Sequence, residues 1–179
     1  NKEVILPSLT FVATANAVIM NGGKPVFVDV DPYTLNIDVE KIEDSISKKT
    51  KIILPVHFGG LSCNLDKINS LSKKYNLKVV EDAAHAAGSY YKHKKIGSYG
   101  NSVCFSFHPI KNLAMPTGGL ISLNDKNHIK IQNILHAKRW CGITNRKNTD
   151  YDIKQIGNNY YMNEFSAAIG LVQLKKLDR

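Results

Sequence analysis

The chain has 179 residues, 43% hydrophobic and 22% charged, which is typical of a globular protein with one sizeable core. It has no apolar run long enough to span a membrane and no segment resembling a signal peptide. Although 24 Lys+Arg against 15 Asp+Glu give a formal net charge of +9, no basic run has the density or the interleaved aromatics of a nucleic-acid surface. We therefore expect no membrane or nucleic-acid partner. Attraction for an anionic small molecule, such as a nucleotide diphosphate, is a milder explanation of the charge.

The cysteines Cys63, Cys104 and Cys141 are far apart and form no CxxC pair. This spacing predicts neither a disulfide framework nor a zinc site, so we expect no metal and a reducing, cytoplasmic environment. A strand-like run begins almost at once after Asn1, and the sequence stops in the charged helical run 175–179. We therefore expect a fragment of a longer protein.

The first half of the chain alternates short β-branched runs with helical patterns of about ten residues. The predicted strands are 4–7, 25–29, 51–55 and 78–82. The predicted helices run from a cap at Ser8 or Thr10 to Gly22, from Val39 to Ile46 with Asp38 as N-cap, and from Leu65 to Tyr75. This alternation indicates βαβ units around a mainly parallel sheet.

The second half begins with a predicted small ribbon over 89–97, and two predicted strands, 103–107 and 120–123, flank a turn-rich loop. A helix is predicted from after Asp125 to about Arg139, and the polar stretch 144–155 has no regular period. Asn163 is the predicted cap of a last amphipathic helix. Its predicted apolar side consists of Phe165, Ala168, Ile169, Val172 and Leu174. No repeat or linker divides the chain.

Lys111 lies in the loop between the last two predicted strands of the sheet, before the pair Gly118-Gly119. In α/β folds, functional residues commonly lie in loops that follow the ends of strands, and Lys111 occupies such a loop. On this ground alone, a solvated surface charge is the simpler explanation of Lys111.

Asp82 ends the predicted strand 78–82 and is followed by Ala83-Ala84-His85. Taken singly, Asp82 could cap a following helix, and His85 could be a hydrogen-bonded core histidine. The pair Asp82 and Lys111, on two strand ends, is harder to explain structurally. Pyridoxal phosphate (PLP) chemistry needs a carboxylate at the pyridine nitrogen and an amine at the aldehyde.

The chain resembles the DegT/DnrJ/StrS family of PLP-dependent sugar aminotransferases along nearly its whole length. The matching segments are PSLTFVATANA at 7–17, DVDP at 29–32, TLN at 34–36, PVHFGG at 55–60, EDAAH at 81–85, FSFHPIKN at 105–112 and GNNYYMNE at 157–164. The resemblance implies the three-layer large domain of fold type I PLP enzymes. That domain is α/β, with a mainly parallel mixed sheet and helices on both faces.

The resemblance also implies roles at individual positions. Lys111 would hold PLP as a Schiff base and act as the general base, and Asp82 would face the pyridine nitrogen. Phe11 would stack on the cofactor ring, and His85 would lie near the ring hydroxyl.

Two further positions would contact the phosphate. Ser106 would bind it within the subunit, and Asn159 would reach the phosphate of a neighbouring subunit. The resemblance therefore implies a homodimer with a shared active site.

The implied function is transfer of an amino group from an amino acid, with glutamate expected, to a nucleotide-linked keto-sugar for amino-sugar or polysaccharide biosynthesis. The nucleotide, the sugar and the choice of carbon 3 or carbon 4 stay open. The alternatives are a non-catalytic regulatory or degenerate relative, and a PLP-dependent sugar dehydratase. Dehydratases of the family carry His at the position of Lys111, which argues against the last.

Two positions depart from the family pattern, which usually has Arg at Tyr161 and often Glu or Asp at Thr117. We expect residues 1–179 to be a partial PLP-binding large domain. By the resemblance, the Gly-Thr helix start that binds the phosphate lies before residue 1, and a small domain follows Arg179.

Overall fold

The computed structural model describes residues 2–124 and 128–178. The strands of the main sheet are β1 Glu3–Pro7, β2 Lys24–Val28, β3 Thr50–Ile53, β4 Lys78–Asp82, β7 Ser102–Ser106 and β8 Gly119–Leu123. The two hairpins consist of β5 Tyr90–Tyr91 with β6 Lys94–Lys95, and β9 Ile143–Lys147 with β10 Asp150–Ile153. The α-helices are α1 Val12–Met20, α2 Val39–Ile42, α3 Leu65–Lys74, α4 His128–Arg139 and α5 Glu164–Leu174. Among these residues, no helix has the length and apolar character needed to cross a membrane.

The main sheet has the strand order β2-β1-β3-β4-β7-β8. All neighbouring pairs are parallel except β7 and β8, which are antiparallel. Every residue of β1 is buried, so both faces of this inner strand are covered. The predicted α/β fold with a mainly parallel mixed sheet is confirmed.

The main core lies where α2 and α3 pack on the first four strands. Its buried residues are Ile5, Val28, Ile37, Ile42, Ile53, Cys63, Ile68 and Val79. A second buried cluster, with Ala87, Phe107, Leu113 and Met115, supports the loop that follows β7. The polar loops at the carboxyl ends of the strands are therefore supported by packed residues below them.

Helix α1 begins later than the sequence predicted. Its N-cap is Phe11, and no side chain caps it, so the prediction of a cap at Ser8 or Thr10 is wrong. The Thr10 hydroxyl is hydrogen-bonded to the Thr14 hydroxyl instead, at 2.8 Å. The predicted cap of the next helix is correct, because Asp38 accepts a hydrogen bond from the Glu40 N–H, although α2 ends at Ile42 and a 3-10 turn follows.

The sequence predicted no regular structure in the polar stretch after α4. The structure shows instead that this stretch forms the antiparallel hairpin of β9 and β10. The turn contains Asn148 with a positive φ of 53°, a conformation that asparagine tolerates. No residue of β10 is buried. A strand exposed on both faces has no alternating apolar pattern, so periodicity could not reveal it.

Helix α5 has the predicted cap, since Asn163 Oδ1 accepts a hydrogen bond from the Ser166 N–H at 2.8 Å. The predicted apolar side, however, is not the side that is buried in the described chain. The buried residues of α5 are Ser166 and Gly170, whereas Phe165 is 83% exposed and Val172 is 53% exposed. Small residues let the helix approach the core closely, and this contact determines which side is buried.

Candidate active site

The candidate site lies at the edge of the sheet where the parallel strands β1, β4 and β7 end. Helix α1 follows β1, Asp82 ends β4, and Lys111 lies in the loop after β7. The register pairs Asp82 with Cys104, so Ser106, two residues further along β7, points to the same face as Asp82. Burial and the nearby charge of Asp82 raise the pKa of the Cys104 thiol.

Asp82 is half-buried, and both of its carboxylate oxygens accept hydrogen bonds. Oδ2 accepts from the Thr14 hydroxyl at 2.8 Å, and Oδ1 accepts from the Ala84 N–H at 3.0 Å. The bond to Ala84 closes a turn and not a helix, because no helix follows Asp82. The alternative role of Asp82 as a helix cap is therefore not observed.

The backbone of Asp82 is fixed by the neighbouring chain. Its N–H donates to the Pro55 carbonyl at 2.9 Å, and its carbonyl accepts from the His57 N–H at 3.0 Å. Ala83 and Ala86, in the turn that follows, are fully buried. The turn that follows the carboxylate is therefore tightly packed.

Glu81 precedes Asp82 and lies on the opposite face of β4, fully buried. Its Oε2 is 2.9 Å from His57 Nε2, and its Oε1 accepts from Asn101 Nδ2 at 2.8 Å. His57 Nδ1 accepts from the Cys63 N–H at 3.1 Å, which assigns the ring hydrogen to Nε2 and makes the imidazole a neutral donor. Burial and the charge of Glu81 raise the pKa of the Cys63 thiol to about 12.

Lys111 is half-buried in the segment 107–118, which we call the lysine loop. Its N–H donates to the His108 carbonyl at 2.9 Å in a tight turn. Within residues 2–124 and 128–178, no side chain pairs with Lys111 Nζ. The amine therefore remains available to a ligand.

The lysine loop is anchored at its ends and through its buried side. The Phe107 N–H donates to the Gly118 carbonyl and the Met115 N–H donates to the Phe107 carbonyl, both at 2.9 Å. Asn112 Nδ2 donates to the Ala87 carbonyl. Gly118 has a positive φ of 155°, and a Cβ there would lie 2.8 Å from Met115 Cε, so a larger residue would be strained and would force the end of Met115 to move.

The other predicted site residues have polar or aromatic groups at the surface of this edge. Ser106 Oγ accepts from the His108 N–H at 3.3 Å. His85 Nδ1 accepts from the Gly59 N–H at 3.3 Å, and its ring lies edge-on to Phe58 with centroids 6.0 Å apart. Phe11 is 74% exposed at the start of α1, so its ring is open to a planar ligand.

Within the part of the chain that the structure describes, no hydrogen bond joins Asn159 to the other predicted site residues. It is exposed, its backbone pairs with Trp140 in an isolated bridge, and its Oδ1 accepts from the Tyr161 N–H at 3.3 Å. The segment from Gly157 precedes the last helix and does not open it, because α5 begins at Glu164. The backbone N–H groups beside Asn159 are therefore not at a helix N-terminus and do not form an anion site of that kind.

The sequence predicted no role for three residues at or next to the site: Thr14, Glu81 and Asn101. The Thr14 hydroxyl contacts Asp82, and the buried Glu81 accepts a hydrogen bond from Asn101. A β-branched residue in the first turn of a short helix is a weak helix former and could have drawn attention to Thr14. No local signal pointed to Asn101.

The set of side chains fits PLP by its chemistry. One edge of the sheet offers a fixed carboxylate at Asp82, a hydroxyl at Ser106 and an exposed aromatic ring at Phe11. It also offers the primary amine of Lys111, which has no side-chain partner among the described residues. These groups match a pyridine nitrogen, an aldehyde, a phosphate and a ring face.

Fold and side-chain set together define an α/β domain of the kind found in fold type I PLP-dependent aminotransferases. A sequence model of the DegT/DnrJ/EryC1/StrS aminotransferase family matches residues 1–179, and the chain belongs to this family. The resemblance predicted from the motifs is thereby confirmed.

Known relatives agree with this assignment. GDP-perosamine synthase of Caulobacter vibrioides is 42% identical over 176 residues, covering 98% of this chain and 46% of that protein. The spore coat polysaccharide biosynthesis protein SpsC of Bacillus subtilis is 40% identical over 181 residues, covering 98% of this chain and 46% of SpsC. PseC of Helicobacter pylori, an aminotransferase involved in the biosynthesis of pseudoaminic acid, has a TM-score of 0.92 at 34% identity, covering 99% of this chain and 47% of that chain. The chain thus spans about half the length of these relatives.

Proposed function

We propose that the protein containing residues 1–179 is a PLP-dependent aminotransferase that moves an amino group from an amino acid, with glutamate as donor, to a nucleotide-linked keto-sugar. The observation that carries the proposal is that Asp82, held by Thr14, lies at the same sheet edge as Lys111, whose amine has no side-chain partner in residues 2–124 and 128–178. The relatives named for perosamine, spore coat polysaccharide and pseudoaminic acid synthesis support a sugar substrate.

Aminotransferases of this family depend on PLP. When bound, PLP supplies an electron sink for the charge that develops as the donor carbon loses its proton. Asp82 would hold a proton on the ring nitrogen, because a neighbouring negative charge favours the protonated form. Lys111 Nζ would hold the aldehyde carbon in the resting enzyme and then move the proton at the substrate carbon.

Three further residues would bind and orient the cofactor. Ser106 would donate its hydroxyl to the phosphate, and the exposed ring of Phe11 would stack on the pyridine. His85 accepts a backbone hydrogen bond at Nδ1, which leaves Nε2 as the donor toward the ring hydroxyl.

The proposal includes a homodimer in which Asn159 donates to the phosphate of the other subunit. Asn159 is exposed and makes no hydrogen bond with Asp82, Lys111 or Ser106 of its own described chain, which supports a role outside its own site. We also propose that residues 1–179 form part of the large domain of a longer, cytoplasmic protein.

The direct test uses the full-length protein with PLP, glutamate and a panel of nucleotide-linked 3-keto- and 4-keto-sugars. Mass spectrometry should detect an amino-sugar and 2-oxoglutarate, and the position of the nitrogen identifies the carbon. A deoxygenated sugar without nitrogen would show a dehydratase. Failure of the whole panel, with PLP bound, would support a non-catalytic relative.

A further inference from the structure

A chain of two hydroxyl groups leads from the start of α1 to the Asp82 carboxylate. Thr14 Oγ1 is 2.8 Å from Asp82 Oδ2 and 2.8 Å from Thr10 Oγ1. A carboxylate can only accept, so the single Thr14 hydrogen goes to Asp82. Thr14 must then accept its second hydrogen bond from Thr10, which defines the direction Thr10 to Thr14 to Asp82.

Thr14 lies in the first turn of α1, and its hydroxyl donates a hydrogen bond to a residue outside that helix. A threonine inside a helix commonly bonds back to the carbonyl one turn earlier, which satisfies its hydroxyl locally. Thr14 is 7% exposed, and its hydroxyl instead contacts a side chain 68 residues away in sequence. The bond therefore joins α1 to the end of β4 at the candidate site.

The two hydrogen bonds to Asp82 fix the plane of the carboxylate. The Ala84 N–H holds Oδ1 and the Thr14 hydroxyl holds Oδ2, at 3.0 and 2.8 Å. Each oxygen can accept more than one hydrogen bond, so the carboxylate keeps capacity for a further partner. Without Thr14, only the turn would restrain the side chain.

We propose that Thr14, oriented by Thr10, is a positioning residue that aims the Asp82 carboxylate at the ring nitrogen of PLP. This inference rests on the proposed cofactor. Thr14 acts through Asp82 and touches neither cofactor nor substrate, so its effect is on the ring-nitrogen proton and not on phosphate or aldehyde binding.

The test is a spectroscopic pH titration of the PLP-bound full-length protein. A positive charge on the ring nitrogen favours loss of the proton from the nitrogen of the C=N bond that would join PLP to Lys111. In Thr14→Val that charge is held less well, and the midpoint of the visible absorption change should move up by about 1 pH unit, the worth of one hydrogen bond to a charged group. Thr14→Ser should keep the wild-type midpoint, and Thr10→Val should move it in the same direction by less.

Thr50→Val is the matched control for a purely structural loss. Thr50 is 2% exposed, its Oγ1 accepts from the Ser47 N–H at 2.9 Å, and it lies at the amino end of β3, on the other edge of the sheet. Thr14→Val and Thr50→Val should both lower the melting temperature of the PLP-free protein, but only Thr14→Val should move the spectral midpoint.

The outcomes separate this inference from the proposed function. A wild-type midpoint in Thr14→Val, or an equal displacement in Thr50→Val, overturns the role of Thr14 and leaves the proposed function intact. A wild-type protein that does not bind PLP overturns the proposed function and this role together.

Discussion

Gly170 of α5 and Met115 of the lysine loop are in such close contact that a Cβ at position 170 would lie 2.0 Å from Met115 Sδ. Met115 is 5% exposed and packs with Phe107 and Leu113 under the loop that carries Lys111. The lysine loop thus packs directly against Gly170 of α5.

Replacing this glycine should disturb both stability and the lysine loop. Gly170→Ala forces Met115 to move within a packed cluster, at a cost of about 1–3 kcal/mol in the free energy of unfolding. Urea unfolding measures the loss, and PLP titration should show weaker binding. Gly100→Ala is the control, because a Cβ there would meet nothing within 4 Å. Equal stability of the two variants would contradict the contact.

The buried hydrogen bond between Glu81 and His57 should contribute to the free energy of unfolding. Glu81→Gln replaces one accepting oxygen by an NH2 group, so the donor of either His57 or Asn101 faces another donor. An unsatisfied buried donor costs about 1–3 kcal/mol in the free energy of unfolding, measurable by urea denaturation.

Glu40→Gln is the matched control for Glu81→Gln. Glu40 pairs with Lys67 at the surface, where an ion pair contributes little to stability. If both substitutions change the unfolding free energy by the same small amount, the buried network does not stabilise β4.

Lys111 should be the residue that binds the aldehyde of PLP. Borohydride reduction of the PLP-bound full-length protein makes this bond permanent, and peptide mass spectrometry should find the cofactor on the peptide containing Lys111. Lys111→Ala should lose both the label and turnover, whereas the neighbouring exposed substitution Ile110→Ala should keep both. A label on another lysine would refute the assignment.

Asp82→Asn should reduce turnover far more than PLP affinity. An amide cannot keep the ring nitrogen protonated, while contacts to the phosphate and the aldehyde carbon remain. The comparison requires kcat and the Kd for PLP of the same preparation. Near wild-type turnover would show that Asp82 only stabilises the turn that it forms with the Ala84 N–H.

The shared site can be tested by mixing two inactive variants. Lys111→Ala and Asn159→Ala subunits are combined, dissociated and allowed to re-pair at random. If Asn159 serves the neighbouring subunit, hybrids contain one intact site, and activity should return to about a quarter of wild type in a two-fold dimer. Activity no higher than that of the separate variants would show that Asn159 serves its own subunit or neither.

Much of the sheet was predictable because its signals are local. Short-range patterns indicate the β-branched runs of β1 to β4 and β7 and the caps Asp38 and Asn163. They also indicate the strand end that carries Asp82 and the loop that carries Lys111. Parallel pairing then places these strand ends at one edge of the sheet, so the sequence already indicated where the candidate chemistry lies.

Only the tertiary structure decided which groups meet across long separations. The Thr14 hydroxyl reaches Asp82, Asn101 reaches the buried Glu81, and the small residues of α5 face the core although its apolar residues suggested the opposite. Each of these outcomes depends on how closely two packed elements approach, as at Gly170. Residue spacing within one element carries no information about that distance.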